Sequence, residues 1–236
     1  MASIGAPFDP VEFEEALAWF RARTPMTREE WDALDEKARQ EAFTVSNVAD
    51  AQIVADVWAS LDRAISNGES LEEWKASVKD TLLAAWQGDV ANPPWRMETI
   101  FRTNGLAAFN AGRLQQMSDP RVMRDRPYWM FDGVRDDRQT EVCERCDGVV
   151  LPADHPWWRT HYPLLHFNCR SQIQNLTSDE AAAHGIRISP PSVEAMPGFG
   201  EMPAFTAAGA WRPDTSDLPG PIGDVLKTRL PSTGGT

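Results

Sequence analysis

Residues 143–176 read CERCDGVVLPADHPWWRTHYPLLHFNCRSQIQNL. Two close pairs of donors stand in this stretch, Cys143 with Cys146 and His166 with Cys169, separated by 19 residues. Soft and borderline ligands in two such pairs suit a tetrahedral Zn2+, since each pair grips two corners from a tight turn. Three thiolates and one imidazole fill all four corners, the composition of a structural site, whereas a catalytic one keeps a corner for water. His161 competes with His166 for the fourth place, and His155 is a weaker candidate. Arg145 and Arg170 flank the two pairs and are positioned to offset the excess negative charge of three thiolates. A segment this short and loop-rich gains its stability from such a brace, because structural zinc adds on the order of 10 kcal/mol to folding. Three cysteines cannot pair off completely, which argues against a disulfide framework.

Outward from this stretch the periodicity changes. Alternation predicts short strands over 128–134, 148–151 and 169–176, and a short helix over 178–185 capped by Ser178 and ended by Gly185. A helix is expected from about 95 to 117, set off by Asn92-Pro93-Pro94 before it and Asp119-Pro120 after it. Residues 1–94 read as helices. Asp9-Pro10 opens one with Phe13, Ala16, Leu17 and Phe20 on a face; Thr27-Arg28-Glu29-Glu30 is a capping box opening another through about Phe43. Two more follow, from Val48 to Ile65 and from a Ser70–Glu73 capping box onward with Trp74, Val78, Leu82 and Trp86 at steps of four. After Ile188 the many Pro and Gly residues predict an extended, irregular tail with no core of its own. The fold class is therefore α+β in three parts: a helical bundle or arm (1–94), a small zinc-braced module with short strands (95–178), and a short helix with a Pro/Gly-rich tail (179–236).

Composition narrows the function. The 236 residues carry a net charge of −12, of which −10 lies in residues 1–95 and +1 in the arginine-rich 96–178. Such a field repels phosphate backbones and disfavours non-specific nucleic-acid binding by the whole surface. No run approaches the roughly 18 apolar residues of a membrane span, and MASIGAPFDP lacks the features of a signal peptide, so synthesis in a cytoplasm without membrane insertion is expected. Ten tryptophans against two tyrosines favour a protein that lives in an assembly. Enzyme signatures are missing: there is no His-x-Glu with Pro-Cys-x-x-Cys, no His-Glu-x-x-His, no P-loop and no Gly-x-Ser-x-Gly. Asp136, Asp137 and Glu141 offer carboxylates for Mg2+, but Arg135 and Arg138 beside them make structural ion pairs the better reading.

The middle of the chain resembles the phage head morphogenesis family, the Mu F-like minor head proteins. The residues that carry the likeness are Arg102-Thr103, Asn110-Ala111-Gly112-Arg113, Tyr128-Trp129-Met130, Asp136-Asp137-Arg138, Asp147-Gly148, Asp154–Trp158 and His166–Arg170, over roughly 95–176. Two departures stand out: Cys143 replaces a family histidine, and Ser171 replaces the second cysteine of a terminal Cys-Arg-Cys. The resemblance implies a structural, low-copy component of the head of a tailed phage, prophage or gene transfer agent. Such a component is made in the bacterial cytoplasm and associates with the portal and capsid interior, near packaged DNA, acting in head assembly, packaging or ejection. Two alternatives stand beside it: a zinc-dependent nucleic-acid-binding module and, further off, a phage-associated enzyme or toxin. Since Arg102 and Asp136-Asp137-Arg138 belong to one pattern, an ion pair between Arg102 and Asp136 or Asp137 is also expected.

Overall fold

The computed structural model describes residues 13–34, 38–39, 41–186 and 189–203; the cap at Asp9-Pro10 lies outside them. Helix α1 (Glu14–Arg21) buries Ala16, Leu17 and Phe20. Thr27 closes the expected capping box with Glu30, but the helix it opens, α2 (Arg28–Asp32), is short. Among the described residues the helix does not run on to Phe43: Ala33 and Leu34 turn out of it, and although 38–39 are helical again, Ala42–Phe43 are extended. Thr24–Pro25 (β1) and Ala42–Phe43 (β2) instead pair as a short parallel ladder. Tertiary burial overrides local helix preference here, because the turn back puts Phe43 edge-on to Phe20, centroids 6.1 Å apart.

Helix α3 (Ala51–Asn67) starts where the Asp50 carboxylate accepts from the Gln52 and Ile53 amides, and it stops at Gly68 in the left-handed region. Helix α4 (Leu71–Trp86) opens on the Ser70–Glu73 capping box and buries Trp74, Val78, Leu82 and Trp86, one per turn. Helix α5 (Pro93–Met117) begins behind Asn92, whose side chain accepts from the Trp95 amide. Together α1, α3, α4 and the first half of α5 enclose one core around Phe20, Leu61, Trp74, Leu82, Trp86 and Met97. Gly112 lets α1 approach, since a Cβ there would lie 2.7 Å from the Ala16 backbone nitrogen.

Leu114 and Met117, at the far end of α5, belong to a second core. After α6 (Pro120–Asp125) come β3 (Tyr128–Asp132), α7 (Glu141–Cys146), β4 (Val150–Pro152), α8 (Trp158–His161) and β5 (Gln172–Leu176). The strands form one antiparallel sheet in the order β4-β3-β5, with Trp129 opposite Leu151 on one side and Asn175 on the other. Helix α9 (Ser178–His184) follows; its cap is Thr177, with Glu180 closing a capping box, in place of the expected Ser178. The sheet and the segments that connect its strands bury Trp129, Phe131, Trp158, Tyr162, Leu165 and all three cysteines.

Residues 189–203 are extended, as expected, yet they belong to this second core. Val193, Ala195, Phe199 and Met202 pack against it. The segment trades backbone hydrogen bonds with the loop from Arg159 to Leu165, among them Met196 N to Leu165 O at 2.9 Å and Gly200 N to Leu164 O at 2.8 Å. Pro and Gly prevent a regular element there but not docking on a neighbour.

Candidate metal centre

The Cys143–Cys146 pair sits on α7, a one-and-a-half-turn helix, in place of the expected tight turn. Thr140 caps it, accepting from the Cys143 amide. The second pair comes from the loop before β5, where Asn168 takes a positive φ of 57° and bends the chain between His166 and Cys169. That bend is held down on α5: the Asn168 amide nitrogen and side-chain Nδ2 donate to the hydroxyls of Thr103 (3.4 Å) and Thr99 (2.9 Å).

The result brings Cys143, His166 and Cys169 together, with their donor atoms all within 4.8 Å of one another. The Cys143 sulfur is 3.2 Å from His166 Nε2 and 3.6 Å from the Cys169 sulfur. Cys146, one turn further along α7 and fully buried, is not part of this close group. His161 is elsewhere: its ring stacks on Trp157, and Nε2 lies 2.9 Å from the Val193 carbonyl. His155 Nδ1 accepts from the Trp157 amide. Between the two competing histidines, the fold puts His166 with the sulfurs.

The protonation pattern suits a cation. His166 Nδ1 lies 2.8 Å from the Phe167 carbonyl, which only accepts, so Nδ1 carries the proton. In the neutral ring Nε2 is then the bare nitrogen, facing Cys143, with the Thr140 hydroxyl 2.8 Å away. The Cys143 thiol is pulled down to about 6, first by the hydrogen bond from Cys169, with the Ser171 and Thr140 hydroxyls adding and burial opposing. Cys169 is pushed up, first by that same bond and then by burial. One sulfur is thus prepared as a thiolate, and a cation would draw the second proton off.

A small cleft opens beside Cys143 and His166, lined by Arg138, Gln139, Thr140, Asn168, Arg170 and Ser171 among others. Arg170 grips Asp136 with both nitrogens, at 2.6 and 2.5 Å, and this pairing holds the Asp136 carboxyl well below the usual range. The expected pairing of Arg102 with Asp136 or Asp137 is therefore not made. Arg102 reaches Glu98 at 2.7 Å, one turn back on its own helix, where no loop has to be ordered to bring the charges together. Asp136 also caps the local turn, accepting from the Arg138 amide. Asp137 interacts with Arg170 only through its field. Arg145 donates to the Ser192 carbonyl at 3.0 Å.

The remaining motif residues dock the sheet on α5. Asn110 donates to the Ser171 carbonyl at 3.2 Å, Arg113 to the Ile173 carbonyl at 3.1 Å, and the buried Tyr162 hydroxyl to the Asn110 carbonyl at 3.0 Å. Thr140 is the site residue that the sequence reading passed over; Asn168 and Ser171 were named only as part of the family motif and as a departure from it, without a role at the site. Thr140 had a signal, since a Thr just before Glu141-Val142-Cys143 is an N-cap pattern; the contacts of Asn168 and Ser171 arise only from tertiary placement.

A helix face thus docks both a sheet and a loop bearing a Cys/His cluster into one small α+β module. The profile of the Phage Mu protein F like family matches residues 55–174, just over half of the chain, and the chain belongs to that family. Among its relatives are the capsid assembly protein F of Escherichia phage Mu, 27% identical over 190 residues, and the FluMu F protein of a Mu-like prophage in Haemophilus influenzae, 28% identical over 169 residues. The first match covers 75% of this chain and 43% of the relative, the second 67% and 40%. The chain thus spans less than half the length of these relatives. No solved structure matches it significantly. Among the described residues no helix is long and apolar enough to cross a membrane.

Proposed function

We propose that this chain is a structural minor head protein of a tailed phage or prophage, acting in head assembly beside the portal and other capsid proteins, and that it turns over no substrate. The observation that carries the reading is the family match over 55–174, which runs from α3 in the helical core through the module to β5. The motif residues Thr103, Asn110 and Arg113 add support, because each makes a hydrogen bond that holds the module to α5. In this reading the chain is made in the host cytoplasm and resides in the particle head, where its role extends to DNA packaging or ejection.

The same reading assigns the cluster to Zn2+ in a structural role. Two sulfurs and an imidazole with its bare nitrogen turned inward are a zinc donor set. Cys146, on the same helix as Cys143, supplies the fourth donor once the ion draws it in. Elemental analysis of protein purified without added metal is expected to give about one zinc per chain, lost in Cys143→Ser and Cys169→Ser; a metal-free protein of unchanged stability would refute the assignment. For the function, an amber mutation of the gene in a producing host is expected to cut the yield of filled heads, and the tagged protein to co-purify with portal and capsid subunits. Normal particle yield without the protein would overturn the proposal.

A further inference from the structure

The segment 189–203 contacts residues beside the donors on both halves of the Cys/His cluster. On the α7 side, Arg145, between the two cysteines, donates to the Ser192 carbonyl. On the loop side, the Leu165 carbonyl, just before His166, accepts from the Met196 amide, and the ring of Phe167, just after His166, meets Phe199 edge-on at 4.8 Å. Further along, Gly200 exchanges hydrogen bonds with the same loop, accepting from Tyr162 N and donating to Leu164 O, both at 2.8 Å. Gly200 takes a φ of 86°, and a Cβ there would lie 2.5 Å from the Thr160 carbonyl oxygen, so this crossing admits glycine alone.

We propose that residues 189–203 form a strap whose docking is coupled to metal occupancy of the Cys143–His166–Cys169 cluster, each tightening the other. The inference rests on the metal assignment above. The physical reason is shared geometry: the ion needs α7 and the His166 loop at a fixed separation, and the strap spans those same two segments. Whatever fixes that separation for one partner has already supplied the ordering needed by the other. Thermodynamic linkage then requires the coupling factor to be equal in both directions.

The test uses the full-length chain and zinc chloride. In the forward direction, hydrogen exchange at the Met196, Gly200 and Tyr162 amides is expected to quicken at least tenfold when a chelator strips the metal. Chelation loosens the surrounding core as well, so the reverse direction decides. Gly200→Ala, which touches no metal donor, is expected to weaken zinc binding about tenfold in competition with a chromogenic chelator, at unchanged one-to-one stoichiometry. Phe199→Ala, a milder variant that keeps the backbone intact, is expected to weaken it about threefold. Zinc bound with wild-type affinity by both variants would overturn the coupling and leave the metal assignment standing. Failure of the wild-type chain to bind zinc would overturn both.

Discussion

In the helical core, Trp74, Leu82 and Trp86 come from one stripe of α4, and Trp74 finds its hydrogen bond on the Ser60 hydroxyl one helix away. In the second core, Trp129 comes from a strand, Trp158 from a single helical turn, and Tyr162 and Cys169 from loops. The first core is closed by apolar stripes on long helices, and caps set where each helix begins. The second draws its residues from elements of seven residues or fewer apart from the end of α5. None of these elements is long enough to be stable alone; beside the core they share, five hydrogen bonds to α5 and the docked segment 189–203 fix their positions, and the metal proposed at the Cys/His cluster would add a cross-link. Short elements fold where something outside the hydrophobic effect fixes their positions.

Four experiments break or sharpen this contrast. The largest effect is expected from metal removal: chelation, or Cys169→Ser, should abolish the cooperative melting of the second core, a loss on the order of 10 kcal/mol. Far-UV circular dichroism should still report α3 and α4. Loss of both regions together would erase the distinction. Next, Trp74→Ala in the helical core should cost about 3–5 kcal/mol by cavity formation, read by denaturant unfolding, with zinc stoichiometry unchanged. Tyr162→Phe removes only the hydroxyl that donates to the Asn110 carbonyl and should cost about 1 kcal/mol, confined to the second core by hydrogen exchange.

The smallest effect is electrostatic. Asp119 caps α6, and its carboxyl is lowered to about 2, chiefly by its hydrogen bonds to the Arg121 side chain and amide. A depressed folded value means the contribution is fully present above the ordinary carboxylate value of 3.8 and is lost as pH falls through about 2. Carbon-detected NMR titration should place the Asp119 midpoint near 2, and Arg121→Ala should return it toward 3.8. A midpoint already at 3.8 in the parent chain would show that Arg121 does not hold this cap.

The contrast also explains what could be read from the chain alone. Helix α4 announces itself through the Ser70–Glu73 capping box and α5 through the Asn92-Pro93-Pro94 boundary, whereas α3 is legible from its apolar stripe alone, which sets its start at Val48 and misses the Asp50 cap. The strands β3 and β5 were legible from alternation. The helix expected from Thr27 to Phe43 failed because the pairing of Ala42–Phe43 with Thr24–Pro25 is decided by burial against Phe20, which no local window contains. At the site, the two donor pairs were visible from spacing, but the grouping of Cys143, His166 and Cys169 apart from Cys146 was not. Spacing constrains which residues reach a common point, whereas the pitch of α7 and the bend at Asn168 decide which of them do. Docking of 189–203 was hidden for a similar reason: composition reports that a segment lacks a core of its own, and says nothing of one it borrows.

Helix α5 runs for 25 residues, about 37 Å, with Met97 rooted in one core and Leu114 in the other. A rod anchored at both ends leaves no hinge between them. Torque or tension applied to one end therefore arrives at the other without being absorbed in between, and two neighbours gripping opposite ends would be held at a set spacing and angle, as by a spacer bar.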